Sequence, residues 1–166
     1  MTPEFHRPRA ASSLDPAGET VAIAARGAER AALARRFDLP AIAHFAARFH
    51  LRPSGDGGIL AEARLLARVT QVCVISLAPL AVTIDTPFLL RFVPAGREAE
   101  GDDPEAIDTI GFVETLDLGE AAAEQFALLL DPYPRAPGAV LPAEYIAPVA
   151  VTPETPFAAL HPRRRG

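Results

Sequence analysis

An α+β fold is predicted by the sequence: an antiparallel sheet of about four to six strands, packed by helices near 27–37 and 117–130. The first observation is an alternation of apolar and polar side chains over 41–52 and again over 59–69, which is typical of half-buried strands. The second is the apolar stretch 65–94, which is rich in residues that favour strands, namely Val, Ile, Phe and Thr. Ala, Leu, Glu and Arg dominate the two remaining segments and favour helices there.

The two alternating runs are predicted to form a β-hairpin across the glycine-rich loop between them. Each run then buries its apolar side chains and turns its polar ones to solvent. One register that keeps this alternation places Arg48 beside Arg64. The same register places His44 beside Arg68. The solvent side of the hairpin is therefore predicted to be rich in arginine, with Arg48, Arg52, Arg64 and Arg68 on it.

The apolar stretch 65–94 is predicted to form a strand, a turn and a second strand. Ala78-Pro79 marks the turn, and apolar side chains alternate beyond it. Pro87 has no N–H to donate, so the second strand is expected to lie at a sheet edge or to be bulged there. Gln71 falls where an apolar residue is due, which indicates either a β-bulge or a strand end buried on both faces.

Both predicted helices have recognisable ends. Pro40 follows the first helix at a usual distance for a stop. Asp117 is a favourable N-cap for the second helix, and Glu120 three residues later is expected to complete a capping box. Asp131-Pro132 is expected to end that helix.

The remaining segments are expected to be less regular. We predict one short strand over 20–25 and another over 107–113. The other segments are an extended, poorly packed arm (1–19), a flexible acidic loop (95–106) and a proline-rich tail (133–166) that must take contacts from the sheet to be ordered.

Composition places this chain among globular proteins. Its 166 residues fit one domain spanning 1–166. A net charge of −5 argues against indiscriminate nucleic-acid binding but allows a local basic patch. No apolar run reaches the about 18 residues of a membrane helix. The N-terminus lacks the apolar core of a signal peptide, so we expect a cytoplasmic protein and no membrane partner.

Cys73 is the single cysteine, which fits a reducing compartment. Its sequence context allows two interpretations, a reactive thiol and a core side chain. Its apolar neighbours Val72 and Val74 favour the core, where burial raises a thiol pKa and makes the group inert.

Neither a metal nor a cofactor is expected. His44 and His50 are about 20 Å apart if they lie on one strand, which is too far for one ion. Asp102, Asp103 and Glu105 are interpreted as a solvated acidic run. The sequence also lacks a phosphate-binding loop and hydrolase or metalloprotease motifs.

Three segments together resemble one protein family, and the acidic loop before Asp117 and TPFAAL at Thr155–Leu160 also fit it. The three segments are the ER-x-x-LARRF-like segment Glu29–Phe37, QVCVISLAPL at Gln71–Leu80, and LDLGEAAAEQFALLLDPYPRAPGA at Leu116–Ala139. Their order and separation are similar to those of the YceD family, the "large ribosomal RNA subunit accumulation" proteins, in its alphaproteobacterial form. Ala78 departs from the family pattern, which commonly has an acidic residue there.

The resemblance covers nearly the whole chain and implies a single YceD-like domain. It implies an accessory role in the synthesis, processing or stability of large-subunit ribosomal RNA, and no established catalysis. Some members carry further cysteines near the C-terminus, and because this chain has none, no zinc site is expected. The positions that match the family motifs are Gln71, Cys73, Asp117, Asp131, Tyr133 and Arg135.

The four hairpin arginines are the best candidate RNA-binding surface, because guanidinium groups suit phosphates. We expect help from the C-terminal Arg163, Arg164 and Arg165. The plainer interpretation is a solvated sheet face balanced by Glu62. The expected partner is large-subunit ribosomal RNA or a large-subunit ribosomal protein. The alternatives are a protein-interaction module without RNA contact and, less favoured, an RNA-modifying enzyme; no oligomeric state is predicted.

Residues 131–135 also allow two interpretations. Pro132 and Pro134 would hold Tyr133 and Arg135 in a stiff pose suited to recognition. In the alternative, the segment is a helix stop whose Tyr133 packs back on the sheet.

Overall fold

A computed structural model describes residues 3–96, 107–142 and 145. It confirms the α+β fold. The strands are β1 (Pro8–Ala10), β2 (Glu19–Ala24), β3 (Ala41–Pro53), β4 (Ile59–Val72), β5 (Pro79–Pro94), β6 (Asp108–Phe112) and β7 (Thr115–Asp117); the helices are α1 (Gly27–Arg36) and α2 (Leu118–Leu129), with a short 3-10 turn at Ala11–Ser13.

The main sheet has five strands in the order β2–β3–β4–β5–β6. A separate two-stranded ribbon pairs β1 with β7. The chain divides into two compact units, Met1–Ala136 and Pro137–Gly166, and the strands and helices named above lie in the first. The expectation of one domain over 1–166 stays a prediction.

The predicted hairpin is confirmed, including its register. Arg48 pairs with Arg64 and His44 with Arg68 in the β3–β4 ladder. The phenylalanines of β3 are buried, as the alternation requires. The ladder has one irregularity, a shift of the register between Ile42 and His44. Both alternatives predicted at Gln71 are wrong. The register is unbroken and Val72 is exposed, so the strand has neither a bulge there nor an end buried on both faces. The buried amide of Gln71 finds a hydrogen-bond partner and can therefore occupy a core position.

β5 is joined to β6 in parallel, so the sheet is mixed rather than wholly antiparallel. Residues 95–107 separate the two strands, which is the dozen or more residues that a parallel connection needs. β6 pairs with β5 only from Leu90 onward. Pro87 therefore lies where β5 has no second partner among the described strands, which is the edge position predicted for it.

The core lies between one face of the sheet and the two helices. Three aromatic pairs link sheet, helices and N-terminal segment edge to face. Phe45 meets Phe126 at 5.3 Å and Phe5 at 5.5 Å between ring centroids, while Phe37 meets Phe126 at 5.2 Å. Such pairs add about 0.5–1.5 kcal/mol each beyond the area they bury.

The sequence predicted a poorly packed N-terminal arm, and this prediction is wrong, because the arm contributes side chains to the core. The Phe5 side chain is fully buried. Arg7 donates its backbone N–H to Asp117 and accepts the N–H of Leu118, at 2.8 and 3.1 Å. Its guanidinium forms two hydrogen bonds of 2.8 Å with Glu29. The prediction failed because the anchors are Phe5 and the hydrogen bonds of Arg7 to residues far along the chain, which the local sequence does not show.

The cap of α2 is confirmed in part. Asp117 accepts hydrogen bonds from the backbone N–H groups of Gly119 and Glu120, at 3.0 and 3.2 Å. The Glu120 side chain instead binds Arg36 of α1, so the expected capping box is wrong. A charge-assisted pair between helices has replaced it.

Several predicted features lie outside the described residues: most of the acidic loop with Asp102, Asp103 and Glu105, the TPFAAL segment, and Arg163, Arg164 and Arg165. Within the described ranges, neither helix is long and apolar enough to cross a membrane.

Candidate nucleic-acid interface and motif groove

The four predicted arginines lie together on the outer face, which we define as the side of the main sheet opposite α1 and α2. Alternation along β3 and β4 places them there, because neighbouring side chains of a strand point to opposite faces. Arg48, Arg52, Arg64 and Arg68 are all exposed.

Two of these arginines are neutralised by carboxylates. Arg64 donates Nε and one terminal N–H to the two oxygens of Asp85, at 2.6 and 3.0 Å. This pairing lowers the pKa of Asp85, so the carboxylate is charged at neutral pH. Arg52 forms an ion pair with Glu62. The balancing role predicted for Glu62 is therefore confirmed for one arginine.

Arg48 and Arg68 form no ion pair with another described residue. Arg48 stands between Ala22 and Arg64 in its row of the sheet, and Arg68 between His44 and Thr83. Their positive charges are therefore available to an outside anion, on a protein whose net charge is −5.

A hollow of about 460 Å³ opens on the same face. Its floor is formed by Ala22, Ala24 and Ala46, and its rim by longer side chains, among them Arg48, Arg64, Leu66 and Asp85. Sequence reasoning missed this alanine hollow. The available clue was the run of alanines at solvent-facing positions, since alanine is depleted in strands.

The residues of the family-like motifs separate into two places. Asp117 is structural: it caps α2 and holds the arm. Gln71, Cys73 and the 131–136 segment come together at the end of β4, where three hydrogen bonds dock the segment. Gln71 Nε2 donates to the Asp131 carbonyl at 2.9 Å. The Val74 N–H donates to Pro134 O at 2.9 Å, and the Ala136 N–H to Cys73 Sγ at 3.2 Å.

Cys73 is fully buried, as predicted, but its expected pKa shift is wrong. Hydrogen bonds from the Ser76 side chain and backbone, and from the Ala136 N–H, outweigh burial and lower the pKa of the thiol from 9.0 to about 6. The sequence showed only apolar neighbours, whereas the turn directs N–H groups at the sulfur. Cys73 thus acts as an acceptor that holds the turn and the 131–136 segment together.

A groove of about 610 Å³, the motif groove, lies beside this cluster. Its lining is mostly apolar and combines the end of α1, the end of β4 and the residues after α2, including Leu39, Gln71, Val72, Val74, Leu130, Asp131, Pro132 and Pro134.

Exposed apolar side chains occur in the lining of the motif groove and, along the chain, within three residues of it. Val74 is 46% exposed, Leu77 75% and Tyr133 70%. Tyr133 therefore does not pack back on the sheet, so that part of the second interpretation is wrong, whereas the helix stop is confirmed because α2 ends at Leu129. Arg135 is exposed as well. Leu77 has a positive φ of 58°, a conformation that costs about 1–3 kcal/mol and is more often kept at functional sites.

Within the described part of the chain, no three His, Cys, Asp or Glu side chains come together as metal ligands. Comparisons with protein-family models, with curated proteins and with solved structures find no match to this chain. The resemblance to the YceD family therefore stays a prediction.

Proposed function

We propose that this protein is a non-catalytic accessory factor in large-subunit ribosome biogenesis, which supports the synthesis, processing or stability of large-subunit ribosomal RNA. Its contact with RNA is the outer face of the sheet, and its compartment is the cytoplasm. The family resemblance supports the role in ribosome biogenesis, and the geometry of the outer face supports that face as the RNA-binding surface.

One observation carries the RNA contact: Arg48 and Arg68 are exposed on the outer face, and neither forms an ion pair with a carboxylate of the described residues. Such guanidinium groups suit phosphate oxygens and release counterions when they bind. His44 lies beside Arg68 and supplies a ring on which an unpaired base can stack.

The direct test measures binding of a large-subunit ribosomal RNA precursor across a salt series. We expect Arg48→Ser/Arg68→Ser to weaken binding and to reduce the slope of log K against log salt by about 0.7 for each lost contact with single-stranded RNA. The control, Arg26→Ser/Arg35→Ser, removes two exposed arginines of the α1 region and gives the same net charge. Equal affinities and slopes for the two double variants would rule out the outer face as the RNA contact.

The process needs a separate experiment. Crosslinking and sequencing of bound RNA in cells, beside the ribosomal RNA profile of a deletion strain, is expected to recover large-subunit ribosomal RNA and to show a large-subunit defect. A normal profile in the deletion strain would contradict the proposed role.

A second candidate function is a protein-interaction module without direct RNA contact. The motif groove and the exposed side chains of Val74, Leu77 and Tyr133 favour it, because exposed apolar patches commonly mark protein interfaces. Substituting Val74→Ser/Leu77→Ser would then abolish capture of a large-subunit ribosomal protein while leaving RNA binding intact. Crosslinking that recovers protein alone would favour this candidate over the first.

A further inference from the structure

The alanine hollow combines a flat apolar floor with a charged rim. Ala24, Ala46, Leu66 and Asp85 occupy one row across four strands, and Ala22, Arg48, Arg64 and Pro87 occupy the next. Side chains of one face lie about 5 Å apart across strands and about 7 Å apart along them. Alanines on two neighbouring strands therefore leave a depression bounded by longer side chains.

Arg64 is held in place on the rim. Its two hydrogen bonds to Asp85 fix the guanidinium plane, which the flexible side chain would otherwise leave free. A fixed guanidinium is a suitable surface for stacking of an unpaired base. Arg64 therefore differs from Arg48, which has no carboxylate partner in the part of the chain that the structure describes and which we expect to bind a phosphate.

The volume of the hollow, about 460 Å³, lies within the about 300–1,000 Å³ typical of ligand pockets. The floor offers methyl groups and the rim offers two guanidinium groups and one carboxylate. An unpaired nucleotide has the matching parts: an apolar base face, base-edge N–H donors and a phosphate.

We propose that the alanine hollow binds one unpaired nucleotide of single-stranded RNA, with the base over Ala22 and Ala46 beside Arg64 and the phosphate on Arg48. This inference rests on the proposed function and specifies its ligand as single-stranded rather than duplex RNA. A paired base cannot enter the hollow, because it is stacked within its helix.

Filling the hollow tests the inference. Ala46→Leu and, separately, Ala22→Leu place a larger side chain on the floor without removing any charge. Fluorescence anisotropy measures binding of a labelled short single-stranded RNA and of the duplex it forms with its complement. The matched control is Ala81→Leu, an exposed alanine of β5 on the same face, two rows away from the hollow.

We expect wild type to bind the single strand more tightly than the duplex, and each filled variant to lose about tenfold in single-strand affinity. Duplex binding and the Ala81→Leu protein are expected to be unchanged. The control variant and far-ultraviolet circular dichroism confirm that the fold is retained; if Ala46→Leu does not fold, Ala22→Leu at the edge strand is used alone.

The outcomes separate the inference from the proposed function. If filled variants bind the single strand as wild type does, or if wild type prefers the duplex, the hollow is not a nucleotide site, although the arginine contact can still hold. If wild type binds neither RNA, the proposed RNA contact fails and the inference fails with it.

Discussion

Replacing Gly119 by alanine probes the contact between the N-terminal arm and α2. A Cβ at this position would lie 1.9 Å from the carbonyl oxygen of Phe5 and 3.1 Å from the backbone nitrogen of Arg7. Ordinary contacts begin near 3.4 Å, so the arm must move by about 1.5 Å. The atoms in the way belong to the backbone, so rotation of a side chain cannot relieve the clash.

The expected cost follows from two limits. Overpacking of a close contact costs about 1–3 kcal/mol. Complete loss of the buried Phe5 side chain would cost about 3–5 kcal/mol. Alanine recovers up to about 1 kcal/mol of helix propensity relative to glycine. We therefore expect Gly119→Ala to lower the free energy of unfolding by about 2–3 kcal/mol.

Urea denaturation measures this change, and Gly27→Ala is the matched control. Gly27 also lies in the first turn of a helix, but the nearest atom to its Cβ position is at 4.0 Å, so alanine there is expected to be neutral or slightly stabilising. In the Phe5→Ala background, Gly119→Ala should cost less, because the arm is already loosened. A Gly119→Ala protein within about 0.5 kcal/mol of wild type, or full additivity with Phe5→Ala, would refute this account of the arm.

Two further predictions concern titration. The pKa of Cys73 is about 6 in the folded protein and 9.0 in the unfolded chain, so this group stabilises the fold fully above pH 9.0 and the contribution is lost as pH falls through about 6. The free energy of unfolding of the wild type should therefore rise with pH over this window, and that of Cys73→Ala should not. Thiol labelling of the native protein is expected to stay slow, because the side chain is buried. Hydrogen bonding to Arg7 lowers the pKa of Glu29 from 4.5 to about 2. The contribution of Glu29 to the free energy of unfolding is therefore present above pH 4.5 and lost towards pH 2. Solvent screening limits this contribution to about 0.5–1 kcal/mol. Glu29→Gln should remove this acid dependence, and an unchanged acid transition in that variant would show that the ion pair does not stabilise the arm.

The β3–β4 hairpin illustrates what could be predicted from the sequence. Alternation of buried and exposed residues fixes which face each side chain takes, and a slip of one residue would expose Phe45 and Phe49. The register that pairs Arg48 with Arg64 is one that satisfies this constraint, and the structure adopts it. The bounds of α1 and α2 and the cap at Asp117 were also predictable, since they depend on residues close in sequence.

The parts that the sequence did not reveal depend on partners far along the chain. Glu120 was expected to cap its own helix, but Arg36 offers a stronger charge-assisted bond. In the sequence, Cys73 has apolar neighbours. In the structure, the N–H groups of Ser76 in the turn and of the distant Ala136 donate hydrogen bonds to its sulfur. The alanine hollow exists only because β2 lies beside β3 and brings Ala22 and Ala24 next to Ala46.

The sequence alone therefore determined the periodic elements and the face on which the arginines lie, because local alternation is enforced by burial of one side. Tertiary structure alone decided which arginines are neutralised, how the arm enters the core and where the hollow forms. These features depend on groups that are far apart in the sequence and come within hydrogen-bond distance only when the chain packs. The spacing of residues along the chain does not show which groups these are.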